Sequence, residues 1–210
     1  YLAELAKKLG SDTVAHGCTA AGNDQVRFEI VLKAVAPELT ILAPVRDHSW
    51  QRPAQVAFLE ERSMPVPTRG SAYSTNRGLW GVTIGGTETL DSKGSIPESA
   101  WVLSAGALDN PHPFSEIEIE FERGVPVGLD GSRLDPVALI EKLEEVGARY
   151  GIGRGIHLGD TIIGTKGRVA FEAPAAAILI DAHRELEKLT LTLTQSQVKE
   201  PVSQIYGQYI

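Results

Sequence analysis

The run from Thr13 to Glu29 restricts the fold more than any other part of the chain. A strand-like Thr13-Val14-Ala15 leads into a turn carrying Gly17 and Gly22, and a helical pattern opens at Asn23. A strand, a glycine-bearing turn and a helix form the entrance to a parallel α/β unit. In such sheets ligands bind beyond the carboxyl ends of the strands, where this turn falls. Asn23 suits an N-cap, with Val26 and Ile30 following at helical spacing. Asn23, Asp24 and Arg27 share one face of the first turns, and helical side chains lean back towards the N-terminus. Free N–H groups and the helix dipole favour an anion there. Arg27 can grip a carboxylate with two parallel bonds, while Asp24 and Asn23 can hold an ammonium or amide. The set suits a zwitterion such as an amino acid. The same spacing also serves a plain helix start, in which Asn23 caps, Asp24 complements the dipole and Arg27 pairs with Asp24, and such surface pairs are commoner than sites.

The surrounding pattern extends the α/β rhythm. Leu2, Leu5, Ala6 and Leu9 mark one face of a first helix closed by Gly10. Thr40 to Pro44 reads as a second strand and Arg52 to Glu61 as a further helix, and Met64-Pro65-Val66-Pro67 is the candidate domain boundary. Ala72 to Thr89 is rich in Gly, Ser and Thr, and Ile96 to Asn110 is a connection whose apolar centre is Trp101-Val102-Leu103. Glu116 to Phe121 alternates as a half-buried strand, with Gly124 to Leu129 its hairpin partner across Arg123-Gly124. That period of two puts Glu116, Glu118 and Glu120 on a solvated face and argues against a catalytic role. Asp135-Pro136 opens a helix with Val137, Leu139, Ile140 and Leu143 inward, and Arg149 to Gly155 reads as a flexible loop. Two short strands are expected between Ile156 and Phe171, then a long helix from Pro174 past Leu189. The tail to Tyr209 reads as a helix with an apolar face that needs a partner.

Composition excludes several functions. At 210 residues, 42% hydrophobic and 22% charged, the chain is ordinary for a globular protein. A net charge of −7 gives no broad basic surface for nucleic acid. No apolar run reaches the length of a membrane span. The lone Cys18 cannot form an internal disulfide, which suits a cytoplasmic setting, and reads as a small buried residue. No two histidines stand at metal-ligand spacing, so no metal site is expected, and His16 carries no assigned chemical role.

Specific motifs add to this. His16-Gly17-x-Thr19-x-x-Gly22-Asn23-Asp24-Gln25-Val26-Arg27-Phe28-Glu29 resembles the H-G-x-T-G-K-G-N-D-Q-V-R-F-E signature of the argininosuccinate synthase family. Leu42-Ala43-Pro44-Val45-Arg46 resembles that family's I-A-P-W-R, and Tyr73 to Gly81 its S-x-D-E-N-L-W-G segment. Gly124-Val125-Pro126-Val127, Gly151-Ile152-Gly153-Arg154, Ile163 to Arg168 and Ala182 to Thr190 resemble later family motifs in family order.

The resemblance implies an α/β fold. Residues 1–66 would be the end of a parallel-sheet nucleotide-binding domain of the adenine nucleotide alpha hydrolase type. Residues 67–210 would be an α+β synthetase and multimerisation domain. It implies a cytoplasmic, ATP-dependent carbon–nitrogen ligase of arginine biosynthesis, a homotetramer using Mg²⁺, that joins citrulline to aspartate through citrullyl-AMP. By motif, Gly17 would contact ATP; Thr19, Asn23 and Asp24 would hold aspartate; Asn23, Arg27, Ser74 and Thr83 would hold citrulline. The family's nucleotide loop, S-G-G-L-D-T, belongs on sequence before Tyr1, so a chain limited to these residues is expected not to turn over. Ala20-Ala21 replace the family's Gly-Lys, and Gly159 and Phe171 stand where the family has a citrulline-contacting glutamate and tyrosine. Asp160 is the expected stand-in for that glutamate. The competing readings are a non-catalytic binding or assembly module derived from the family, and a related ATP-dependent ligase with another amino-acid acceptor.

Overall fold

The computed structural model describes residues 1–19, 23–66, 73–160 and 166–207. The chain divides into two compact units, Tyr1–Ser71 with Leu158–Gly167 and Ala72–His157 with Arg168–Ile210.

The first unit begins with helix α1 (Leu2–Lys8), strand β1 (Thr13–Ala15), helix α2 (Asn23–Val35) and strand β2 (Thr40–Leu42). β1 and β2 pair in parallel, with Val14 opposite Ile41. The ladder continues past β1 through the His16 N–H, which donates to Leu42 O at 2.9 Å. Two short helices, α3 (Pro44–Asp47) and α4 (Arg52–Glu61), complete the unit. Its core joins Ala3, Ala6, Val14, Leu32, Ala36 and Leu39, with Phe28 and Ile41 against it.

The buried faces differ from those that spacing suggested. Ala3 and Ala6 of α1 are buried while Leu2 and Leu9 are exposed. Small side chains let this short helix approach its neighbours closely. On α2 the inward row is Phe28 and Leu32, continued four positions on by Ala36 just past the helix end. Ile30 is two positions, about 200°, around the helix from Phe28 and is 62% exposed.

The second unit holds two sheets. Strands β3 (Ser74–Gly78) and β4 (Gly81–Gly85) form a hairpin turning at Leu79-Trp80. Strands β5 (Ile119–Glu122), β6 (Val125–Leu129) and β7 (Ser132–Arg133) form a meander. The Arg123-Gly124 turn has φ of 52° and 80°, the left-handed pair that a two-residue hairpin needs. Ile117, Ile119 and Phe121 point inward as their alternation requires, although paired strand begins only at Ile119.

Helix α5 (Pro136–Arg149) is capped by Asp135, whose carboxylate accepts from the Val137 and Ala138 N–H groups. Leu139, Ile140 and Leu143 are buried, whereas Val137 is exposed. The expected loop at Arg149 to Gly155 is instead a tight turn, and strand β8 (Arg154–Asp160) starts within it, followed by β9 (Lys166–Glu172). Sheet order is β3-β4-β9-β8. Helix α6 (Pro174–Thr190) packs with α5 on the meander through Ala175 and Leu179. Helix α7 (Leu193–Gly207) follows and buries none of its residues.

Candidate functional site

In the first unit the candidate residues follow β1. Gly17 and Thr19 are exposed beyond its carboxyl end. His16 stacks on Phe28 with ring centroids 5.2 Å apart, and its Nδ1 accepts the Cys18 N–H at 3.3 Å. That bond assigns the imidazole proton to Nε2, which is buried with no hydrogen-bond partner among the described residues. Burial, and then the Asp24 carboxylate, push the Cys18 thiol up from its ordinary 9.0, so it stays protonated and unreactive. Gly22 and the Asn23 side chain lie outside the described residues, so the capping expected of Asn23 does too; its backbone is the first of α2.

Arg27 and Asp24 are both exposed, and Arg27 Nη1 donates to Asp24 Oδ1 at 3.1 Å. The pair sits at the rim of a groove of about 550 Å³ whose walls include Leu2, Phe28, Val31 and Val35. An exposed ion pair of this kind contributes little to stability, about 0–1 kcal/mol, so exchanging the partner for a ligand costs little.

A link between two motifs was not legible in either alone. Arg46, from the Leu42-Ala43-Pro44-Val45-Arg46 segment, donates to Glu29 Oε1 at 2.6 Å, and Lys33 pairs with the other oxygen at 3.0 Å. The Arg46 bond, then that of Lys33, hold the Glu29 carboxyl below its ordinary range. This fastens α2, which carries Asp24 and Arg27, to α3. No sequence signal marked it, because 17 residues separate the partners.

In the second unit Ser74 and Thr83 lie on the β3–β4 hairpin, both exposed. Register places Asn76 directly opposite Thr83, and Thr83 opposite Phe171 of β9. Strand alternation gives Ser74, Asn76, Thr83 and Phe171 one face, since Val82, Ile84 and Ala170 are buried on the other. Phe171 lies against Gly155 of β8, where an added Cβ would stand 2.4 Å from its Cζ. Asn76 was missed by motif reading, although its two-residue spacing from Ser74 in a strand was the available signal. Asp160 ends β8, and its side chain lies outside the described residues.

A polar cluster holds the covered face of that sheet. Glu172, fully buried, accepts from the Val102, Leu103 and Ser104 N–H groups at 2.6, 3.0 and 2.9 Å, and from Ser104 Oγ at 2.5 Å. Arg154, 10% exposed, donates to both oxygens of Glu98 at 2.7 Å and to Ser104 Oγ at 2.7 Å, and stacks over Trp101. The Glu98 bonds hold the guanidinium pKa above its ordinary value. Arg168 donates to the carbonyls of Glu88, Asp91 and Gly94. It therefore organises the 88–94 loop.

Comparison with known proteins decides the family. A model of the arginosuccinate synthase N-terminal HUP domain matches residues 1–65, and a model of the arginosuccinate synthase C-terminal domain matches residues 73–210. The chain belongs to the argininosuccinate synthase family. Relatives named argininosuccinate synthase include that of Methanocaldococcus jannaschii, 39% identical over 99% of this chain and 52% of the relative. Those of Rippkaea orientalis and Synechocystis sp. are 41% and 40% identical over the whole chain, covering 53% and 52% of the relatives. The chain thus spans about half the length of the curated relatives it matches. The N-terminal HUP match and the parallel β1–β2 pair agree with the nucleotide-binding α/β fold expected for this family.

Proposed function

We propose that the natural protein is an ATP-dependent ligase that condenses citrulline with aspartate, releasing AMP and pyrophosphate and forming argininosuccinate. The observation that carries this reading is the ordered match of both family domains across the chain, with the strand–turn–helix signature intact from Asn23 to Glu29. Residues 1–66 serve as the end of the nucleotide-binding domain and 67–210 as the synthetase and assembly domain.

Within that reading the backbone at Gly17 lies against the nucleotide. Thr19, Asn23 and Asp24 hold aspartate. Arg27 exchanges Asp24 for the citrulline carboxylate, and Asn23, Ser74 and Thr83 contact citrulline, with Asp160 as a further contact. The ureido oxygen attacks the α-phosphorus of ATP, breaking its bond to the pyrophosphate oxygen. The aspartate amine then displaces AMP. The protein's part is positioning two amino acids against one phosphorus and excluding water. Mg²⁺ enters on the phosphates of ATP, as part of the substrate, and spreads their charge.

No helix among the described residues is long and apolar enough to cross a membrane, and the reading places the enzyme in the cytoplasm. Assembly as a homotetramer is supported by α7, which leaves Val198, Val202, Ile205 and Tyr206 exposed.

The test is AMP formation from ATP by the natural protein, with citrulline and aspartate each omitted in turn. Dependence on both is expected. Phe171, which brings no hydroxyl to the Thr83 face, favours one second reading: a ligase of the same chemistry with another acceptor. Turnover with a different amino-acid pair, and none with citrulline and aspartate, would establish it instead.

A further inference from the structure

Three polar side chains on the open face of the β3-β4-β9-β8 sheet have no hydrogen-bond partner among the described residues. Ser74, Asn76 and Thr83 are exposed, and among the described residues none makes a side-chain hydrogen bond. Asn76 and Thr83 are a directly opposed cross-strand pair, which puts their Cβ atoms about 5 Å apart. Ser74 stands two positions along the same strand face. Around them the face is low: Gly78, Gly81 and Gly85 of the hairpin present no side chain. On the next strand the Phe171 ring lies over the notch left by Gly155. The other face is fully used, by Glu172 and the apolar core. The polar surface here is therefore built but uncommitted.

We propose that Asn76 contacts the amino-acid substrate, completing with Ser74 and Thr83 a neutral cradle for its ammonium group. This rests on the reading that Ser74 and Thr83 bind citrulline. An alkylammonium has three N–H donors and no acceptor. The cradle offers three acceptor oxygens, Ser74 Oγ, Asn76 Oδ1 and Thr83 Oγ1. Ser74, Asn76, Thr83 and Phe171 bring no carboxylate to this row. The ammonium is held by dipoles and keeps its own counter-charge, the substrate carboxylate. Such a cradle prefers a zwitterion to a substrate with a free cationic amine, because an unpaired cation gains less from neutral oxygens than it loses in hydration.

The experiment uses the natural protein, wild type and two variants, with citrulline KM measured beside those of aspartate and ATP. Asn76→Ala raises citrulline KM about 10- to 150-fold, the range of one lost hydrogen bond to a charged group, and moves the other two less than about twofold. Asn76→Asp supplies a charged acceptor and lowers citrulline KM. An Asn76→Ala effect under twofold, an equal change in all three KM values, or a rise with Asn76→Asp would overturn the proposal; the last would mean that the amide donates to the substrate. Calorimetric titration with citrulline alone separates this from the ligase reading. Binding weakened in Asn76→Ala without turnover upholds the cradle and sinks the ligase. Equal binding in both proteins sinks the cradle alone. No citrulline binding by the wild type overturns both.

Discussion

Replacing Glu172 with Gln tests whether the buried carboxylate holds the 102–104 segment on the sheet. One oxygen accepts from the Val102 and Leu103 N–H groups, the other from the Ser104 N–H and Oγ. Glutamine keeps one acceptor oxygen. If its NH₂ faces Ser104, the hydroxyl can rotate and accept from it, while still accepting from Arg154 Nε. One backbone N–H, that of Ser104, is then stranded in a buried site, at about 1–3 kcal/mol. The two bonds kept by the oxygen fall from charge-assisted to neutral, losing about 1 kcal/mol each. The sum is about 3–5 kcal/mol, a large part of the 5–15 kcal/mol typical of a domain. Equilibrium urea unfolding reads it through tryptophan fluorescence, since Trp101 lies next to the segment and under Arg154. With m near 2 kcal/mol/M, the midpoint falls by about 2 M at unchanged m. Glu118→Gln, on the solvated face of the meander, is the control and stays within about 0.5 kcal/mol. A Glu172→Gln loss below about 1 kcal/mol would refute the reasoning, because the segment would then be held by its apolar contacts.

Other outcomes follow from the same geometry. Arg27→Ala raises citrulline KM about 10- to 100-fold, as for loss of a bond between charged groups, with ATP KM nearly unchanged; equal effects on both would make Arg27 structural. Glu29 has its carboxyl held below the ordinary 4.5, chiefly by Arg46, so its contribution to stability is full above that value and is lost as pH falls through the lowered one. Wild type and Arg46→Ala should therefore differ most in urea midpoint near neutral pH and converge as pH falls through the lowered value; a constant gap would contradict the ion-pair account. Asp135→Ala removes the cap on α5 and costs about 1 kcal/mol, read as a lower Tm; an unchanged Tm would show that Pro136 alone sets the helix start.

Elements governed by neighbours a few residues apart were legible in the sequence. The Asp135-Pro136 helix start, the Arg123-Gly124 turn and the inward Ile117, Ile119 and Phe121 all depend on contacts within three residues or on strand period. Strand β1 and helix α2, which carries Asp24 and Arg27, were legible in the same way, and the motif that spans them pointed to the family. Which side of α2 is buried was not legible. Ile30 and Phe28 are both apolar, and only the position of β1 and α1 selects Phe28, Leu32 and Ala36. The lines across the second unit were equally hidden. Glu172 meets Val102 from 70 residues away, Arg154 meets Glu98 from 56, and Asn76 joins Ser74, Thr83 and Phe171 only through strand register. Local chemistry fixes how a segment bends and which residues share its faces. Which face is covered, and which polar groups are left free to bind, is decided only when distant segments compete for the same buried surface.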